Sequence, residues 1–171
     1  MTILTLSGSP HPRSRNSELL RALSTYLPDE YSLLTSVRLD HLPLFQPQLD
    51  RAPWPDVVLE LRRQVATAAA VVISTPEYLR TLPAVLKNAL EWLTSSGELS
   101  QKRVLPISFT PHPPRGEGAM QALLASLQAL DCRVVAALPL YQEEQRWTDQ
   151  GLVLGEDTQE ILPEALALLW N

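Results

Sequence analysis

Ala69 to Ser74, AAVVIS, constrains the fold of this chain more than any other stretch. It is a continuous apolar run rich in β-branched residues and too short for a helix. That pattern marks a strand buried on both faces. Such a strand needs helices on either side of its sheet, and the rest of the sequence supplies them. Ile3–Leu6, Tyr31–Val37, Val104–Phe109 and Val134–Leu138 are further strand candidates. Between them run helical periodicities: Leu19, Leu20, Leu23, Tyr26 and Leu27; then Val57, Val58, Leu61 and Val65 within Asp56–Ala68. A third stripe, Val85, Leu86, Ala89, Leu90 and Leu93, follows Pro83, which suits a first helical position. Met120–Leu130 and Ile161–Leu169 complete the set. Five strands alternating with five helices predict an α/β fold of three layers, with helices on both faces of a five-stranded parallel sheet. Right-handed crossovers make 2-1-3-4-5 the natural strand order. At 171 residues the chain is expected to form a single domain spanning 1–171.

In that order the loops after strands one and three flank the switch point where ligands lodge. The first is GSPHPRSRN, Gly8 to Asn16, running directly into a helix. A helix start aims unpaired N–H groups and the positive end of its dipole at whatever fills the loop. Hydroxyls of Ser7, Ser9 and Ser14 and the Asn16 amide add donors, so the loop is a candidate phosphate socket. It has neither the Lys of a P-loop nor the glycine spacing of a dinucleotide fingerprint. An ordinary capped strand-to-helix turn would look similar. The second loop is Thr75-Pro76-Glu77-Tyr78. Pro76 stiffens it, the following N–H groups can face a ring carbonyl, and Tyr78 offers an aromatic wall. A phosphate socket beside a flat wall suits a mononucleotide with a large ring. Tyr78 as core packing, and Glu77 as a general base or a solvated turn residue, stay open here.

The formal net charge of −5 and the lack of a Lys/Arg cluster exclude nucleic acid as the main partner. The three histidines, His11, His41 and His112, show no metal-ligand spacing, so no metal site is expected. Cys132 is the only cysteine, at the start of an apolar run, and is expected to be a buried small residue. No signal peptide or membrane-length apolar run is present in the sequence, which makes the cytoplasm the expected compartment and a membrane no expected partner. His41–Pro55 carries Pro43, Pro47, Pro53 and Pro55 without periodicity, and is either a lid or a stiffened crossover. Tyr141–Gly155 is polar and without pattern.

The segments GSPHPRSRN, LPLFQPQLD, TPEYLRTLPAVLKNALEWL and RGEGAMQALL, in this order, resemble the NADPH-dependent FMN reductase family of flavodoxin-like proteins. The resemblance covers nearly all of the chain to about Leu138, and Thr75–Leu93 is its most specific part. It implies a flavodoxin-like fold and an enzyme using FMN, with NADPH or NADH as hydride donor. Electrons would pass to free flavin, a quinone or another small-molecule acceptor. The family's phosphate loop falls on Ser9, His11, Ser14 and Asn16, and its ring-side turn on Pro76, Glu77 and Tyr78. The region between Ser108 and Gly118 corresponds to a further flavin-lining loop. Because the flavin carries the hard chemistry, no catalytic side chain is assigned. A homodimer or homotetramer is also implied, with the Trp92 helix and the two polar loops as candidate contact surfaces; Trp92 as ordinary core is the alternative.

Four departures stand out against that pattern. His11 occupies a position that is usually Arg, exchanging a permanent bidentate cation for an imidazole. Arg15 is the expected compensation. Leu79 replaces an Asn after the Tyr, and Ala84 a Gly after Pro83. The loop FTPHPPRGEG is proline-rich, and Pro113 and Pro114 donate no N–H. Two other functions fit the same pocket. One is a flavin-binding electron carrier or interaction domain that does not oxidise NAD(P)H; the other is a domain that has lost FMN and binds another phosphate-bearing ligand.

Overall fold

The computed structural model describes residues 1–11, 13–149 and 151–171. Strands β1 (Thr2–Ser7), β2 (Ser32–Thr35), β3 (Ala70–Thr75), β4 (Arg103–Thr110) and β5 (Arg133–Val134) form a sheet in the order β2-β1-β3-β4-β5. Every pairing within it is parallel. Helices α1 (Arg15–Ala22), α2 (Asp56–Thr67), α3 (Ala84–Trp92), α4 (Glu117–Ala129) and α5 (Glu156–Ala167) cover the two faces. This is the flavodoxin-like arrangement with the expected strand order. None of the helices among the described residues is long and apolar enough to cross a membrane.

Alternation along the strands explains the layers. Ile3, Ala70, Val72, Leu105 and Ile107 pack with Leu19 and Leu20 of α1 and Leu162 and Leu166 of α5. Leu4, Leu6, Val71, Ile73 and Val104 point the other way, toward α2, α3 and α4 through Leu61, Leu86 and Leu123. All six residues of β3 are buried, as the AAVVIS run requires.

The fifth strand departs from expectation. A continuous strand over Val134–Leu138 is expected, but the ladder stops after Val134 and resumes as β6 (Leu138–Tyr141), again parallel to β4. The register shifts by one residue between the pairs Val104↔Val134 and Ile107↔Leu138, which is a bulge. Pro106 gives the reason. The Val104 carbonyl accepts from Val135 N–H, so Val104 and Pro106, two residues apart, both face this neighbour. Pro106 has no N–H to give it.

Two further corrections concern the polar stretches. Within Tyr141–Gly155, β7 (Arg146–Thr148) pairs antiparallel with β8 (Gly151–Val153). Trp92 is fully buried, so it is core and not a contact surface. Its indole N–H donates to the Pro43 carbonyl (2.7 Å), and Asn88 bonds Phe45 N–H and the same carbonyl. At the other end of the proline segment, Arg62 donates to Asp50 (2.8 Å) and to the Trp92 carbonyl. The segment is therefore a braced crossover, pinned at both ends.

Candidate functional site

Four segments at the carboxyl edge of the sheet meet around a cleft of about 310 Å³. Ser9, Ser14, Arg15 and Asn16 come from the β1–α1 loop, and Pro76, Glu77 and Tyr78 from the loop after β3. Thr110 ends β4, Pro111 and Arg115 follow it, and Gln142 follows β6. Close approach of the first two loops depends on Gly8, where a Cβ would fall 2.8 Å from Thr75 Oγ1.

The first loop is stitched by its own side chains. Ser14 caps α1 by accepting from Ser17 N–H (3.1 Å). Its hydroxyl also lies 3.0 Å from that of Ser17, which in turn bonds Ser7 Oγ (3.1 Å). His11 does not line the cleft. Its N–H donates to Ser9 Oγ and its ring Nδ1 accepts from Arg13 N–H, so it shapes the loop from the outside. Asn16 is buried with its amide turned into the sheet, donating to the Phe109 carbonyl (3.3 Å) and accepting from Ser74 Oγ (2.7 Å). That amide ties the ends of β3 and β4 to α1. What the loop offers a ligand is main chain: the N–H groups of Ser9, Arg15 and Asn16 bond no other described residue. Three such donors, two of them at a helix start, fit a phosphate group.

Arg15 reaches sideways. Its guanidinium donates to Gln142 Oε1 (2.7 Å) and lies 4.3 Å from the Trp147 ring centroid, a cation–π contact. Trp147 is fixed by Glu18, which accepts from its indole N–H (2.6 Å). Gln142 and Trp147 were not legible as site residues, because they come from the unpatterned stretch.

The second loop is a tight hairpin. Tyr78 and Thr81 exchange both main-chain hydrogen bonds, with Leu79 and Arg80 at φ of 51° and 59° between them. Two left-handed residues in a two-residue loop make a type I′ turn, where Asn and Gly are favoured and Leu is strained. Tyr78 is half exposed at the cleft, which excludes core packing. Glu77 Oε2 accepts from Ala119 N–H (3.1 Å), capping α4, whose N-cap Gly116 has no side chain to do so. The Glu77 N–H has no partner among the described residues and is available to a ring carbonyl. Gly118 lets α4 press on the hairpin, since a Cβ there would stand 2.2 Å from the Arg80 carbonyl oxygen.

The described residues contain no group of acidic, His or Cys side chains able to hold a metal. Burial, and secondarily the Asp131 charge, push the Cys132 thiol up to about 11, so it stays a neutral thiol near pH 7. The site thus offers main-chain donors, hydroxyls and an aromatic wall, with no proton-transfer pair. That donor set fits a phosphorylated planar cofactor bringing its own chemistry.

The sequence model of the NADPH-dependent FMN reductase family matches residues 1–144. A 2-hydroxy-1,4-benzoquinone reductase of Burkholderia sp is 31% identical over 167 residues, covering 95% of this chain and 90% of that protein. A quinone reductase of Pseudomonas putida is 28% identical over 163 residues, covering 94% and 84%. Among solved structures, the flavoenzyme NAD(P)H:(acceptor) oxidoreductase FerB of Paracoccus denitrificans superposes with a TM-score of 0.79 at 23% identity, covering 98% of this chain and 94% of FerB.

Proposed function

Because the chain belongs to the NADPH-dependent FMN reductase family, and so is an NAD(P)H-dependent oxidoreductase working with FMN, we propose that it carries electrons from NAD(P)H to a quinone or similar small acceptor. The observation that carries this reading is the convergence of the loops after β1, β3 and β4 on one cleft. FMN, when bound, supplies the hydride-accepting and hydride-donating chemistry.

The chain's own residues bind and orient. Ser9, Arg15 and Asn16 hold the cofactor phosphate with their N–H groups, and the Ser14 hydroxyl adds a polar contact beside them. His11 keeps the loop in shape through Ser9 and Arg13. Pro76, Glu77 and Tyr78 take the ring side, where the Glu77 N–H is the free donor and Tyr78 the wall. Thr75 Oγ1 donates to the Pro76 carbonyl (2.9 Å) and fixes the start of that turn. Nothing in the cleft needs to move a proton at a side chain, which is why no catalytic side chain is assigned. The acceptor suits the names of the relatives, two of which are quinone reductases.

One cleft serving donor and acceptor in turn predicts ping-pong kinetics. Initial rates with NADPH and a benzoquinone should give parallel lines, and the visible absorbance of FMN-loaded protein should bleach on anaerobic addition of NADPH. A yellow protein that NADPH leaves yellow would be a carrier instead, and intersecting lines would end the single-cleft reading. The reading extends to a homodimer or homotetramer. It is supported by Leu79, 99% exposed beside the cleft, and is checked by light scattering.

A further inference from the structure

Arg15 and Glu18 lie three residues apart at the start of α1, the spacing at which opposite charges on a helix pair. Here they do not. The ion pairs among the described residues include neither of them. Trp147 engages both instead, each with a different part of its ring. The indole N–H donates to Glu18 Oε2 (2.6 Å), and the ring face carries the Arg15 guanidinium 4.3 Å from its centroid. Behind it the indole stacks on Phe109, which is fully buried (centroids 6.3 Å apart, planes at 26°). Gln142 completes the hold: its Oε1 accepts from Arg15 (2.7 Å) while its Nε2 donates to the Phe109 carbonyl (3.4 Å).

The result is a guanidinium with a fixed place at the loop cleft and no carboxylate against it. Arg15 and Arg115 are the two cations lining that cleft, and Arg15 alone belongs to the phosphate loop. Main-chain N–H groups can bond a phosphate without matching its charge, and a bond from a cation is roughly twice as strong. An Arg already held has also given up its rotamer freedom before the ligand arrives. If Glu18 were to close on Arg15, the charge would be cancelled beside the N–H groups of Ser9, Arg15 and Asn16.

We propose that Trp147 is a positioning residue for the cofactor phosphate. Its N–H keeps Glu18 off Arg15, and its ring holds the guanidinium at the cleft as an uncancelled cation. This rests on the reading of the loop cleft as the FMN site. Trp147 lies beyond residues 1–144, the span matched by the family, so the hairpin β7–β8 contributes to the site from outside that span.

The test titrates flavin-free protein with FMN and with riboflavin, which has no phosphate, by flavin fluorescence at fixed ionic strength. Arg15→Gln should raise the FMN Kd about tenfold, the scale of one hydrogen bond to a charged group. Trp147→Phe keeps an aromatic face for Arg15 and for Phe109 but has no N–H. Glu18 is then released to Arg15, and the FMN Kd should rise about threefold, the scale of an exposed ion pair. Adding Glu18→Gln to Trp147→Phe should reverse that rise, whereas Glu18→Gln in the natural chain should change the Kd by less than about 1.5-fold. Riboflavin should bind every variant within about twofold of the natural chain. No effect of Arg15→Gln or of Trp147→Phe on FMN overturns the proposal, and so do equal losses for FMN and riboflavin, which would make Trp147 packing alone. An equal gain from Glu18→Gln with and without Trp147→Phe is plain repulsion and overturns it too. If circular dichroism shows Trp147→Phe unfolded, the single α1 variants decide. Glu18→Gln tightening FMN about threefold in the natural chain would mean a pair already cancelled, and an unchanged Kd beside the Arg15→Gln loss supports the separation. All of these outcomes leave the FMN reading standing; a natural chain that binds neither flavin ends both.

Discussion

The two loops that frame the cleft are held in place by opposite means. The loop after β1 is stitched internally, through the Ser14 cap, the hydroxyl chain to Ser7 and the His11 contacts with Ser9 and Arg13. The hairpin after β3 is held from outside, by Glu77 on the Ala119 N–H and by the close approach of Gly118 to Arg80. Self-contained stitching leaves main-chain donors free to grip a ligand. External clamping fixes the position of an aromatic wall whose local backbone is strained. Affinity for a phosphate should therefore follow the first loop, and ring placement the contact between the hairpin and α4.

The largest effect should come from breaking the external clamp. Gly118→Ala would usually help a helix, by up to about 1 kcal/mol. Here the added Cβ would meet the Arg80 carbonyl oxygen at 2.2 Å, and overpacking against backbone should dominate. A net loss of about 3 kcal/mol is expected, or roughly 6–12 °C in Tm for a chain of this size. Thermal unfolding checks it; an unchanged Tm would mean that the hairpin is not clamped by α4.

Asn16→Ala comes next and strikes the join between the two regions. It leaves the Phe109 carbonyl with only the longer bond from Gln142 Nε2 (3.4 Å) and the Ser74 hydroxyl without its buried acceptor, at a cost of about 2 kcal/mol. FMN affinity should fall with it, although the side chain touches no ligand, because the ends of β3 and β4 lose their tie to α1. Chemical denaturation and an FMN titration of the same variant separate the two effects. Glu77→Ala should be milder, about 1 kcal/mol, the usual value of a lost helix cap. Glu77→Gln keeps an acceptor for the Ala119 N–H and should recover most of that loss, an outcome that a charge-based role for Glu77 would not give.

How much of this was legible in sequence follows from the same contrast. The strand order, the two faces and the meeting of the β1 and β3 loops are consequences of periodicity and handedness, and the structure has them. The inward turn of the Asn16 amide was not legible, because a strand-to-helix Asn reads equally as a ligand donor and as a brace. Gln142 and Trp147 were hidden for a different reason: Gln142 lies in a single helical turn after β6 and Trp147 in a three-residue strand, both too short to show a period. The break in the fifth strand was written in the sequence, at Pro106, but on the neighbouring strand. A proline harms whichever ladder its missing N–H would have served, and only the fold says which ladder that is.

The smallest effect tests the strain itself. Leu79 sits at φ 51° and is almost wholly exposed, so its side chain gains nothing from burial within this chain. Leu79→Gly removes a left-handed penalty of about 1–2 kcal/mol. It also adds freedom to the unfolded chain worth roughly 0.5–1 kcal/mol. The two nearly cancel, and a gain of about 0.5 kcal/mol should remain. Leu79→Asn tolerates the same conformation without the full entropy cost and should gain at least as much. If both variants gain stability while FMN affinity stays unchanged, the strain belongs to the turn alone. If FMN affinity falls with either, the hairpin tip helps to seat the ring, and the division of labour between the two loops is less clean than their hydrogen bonds imply.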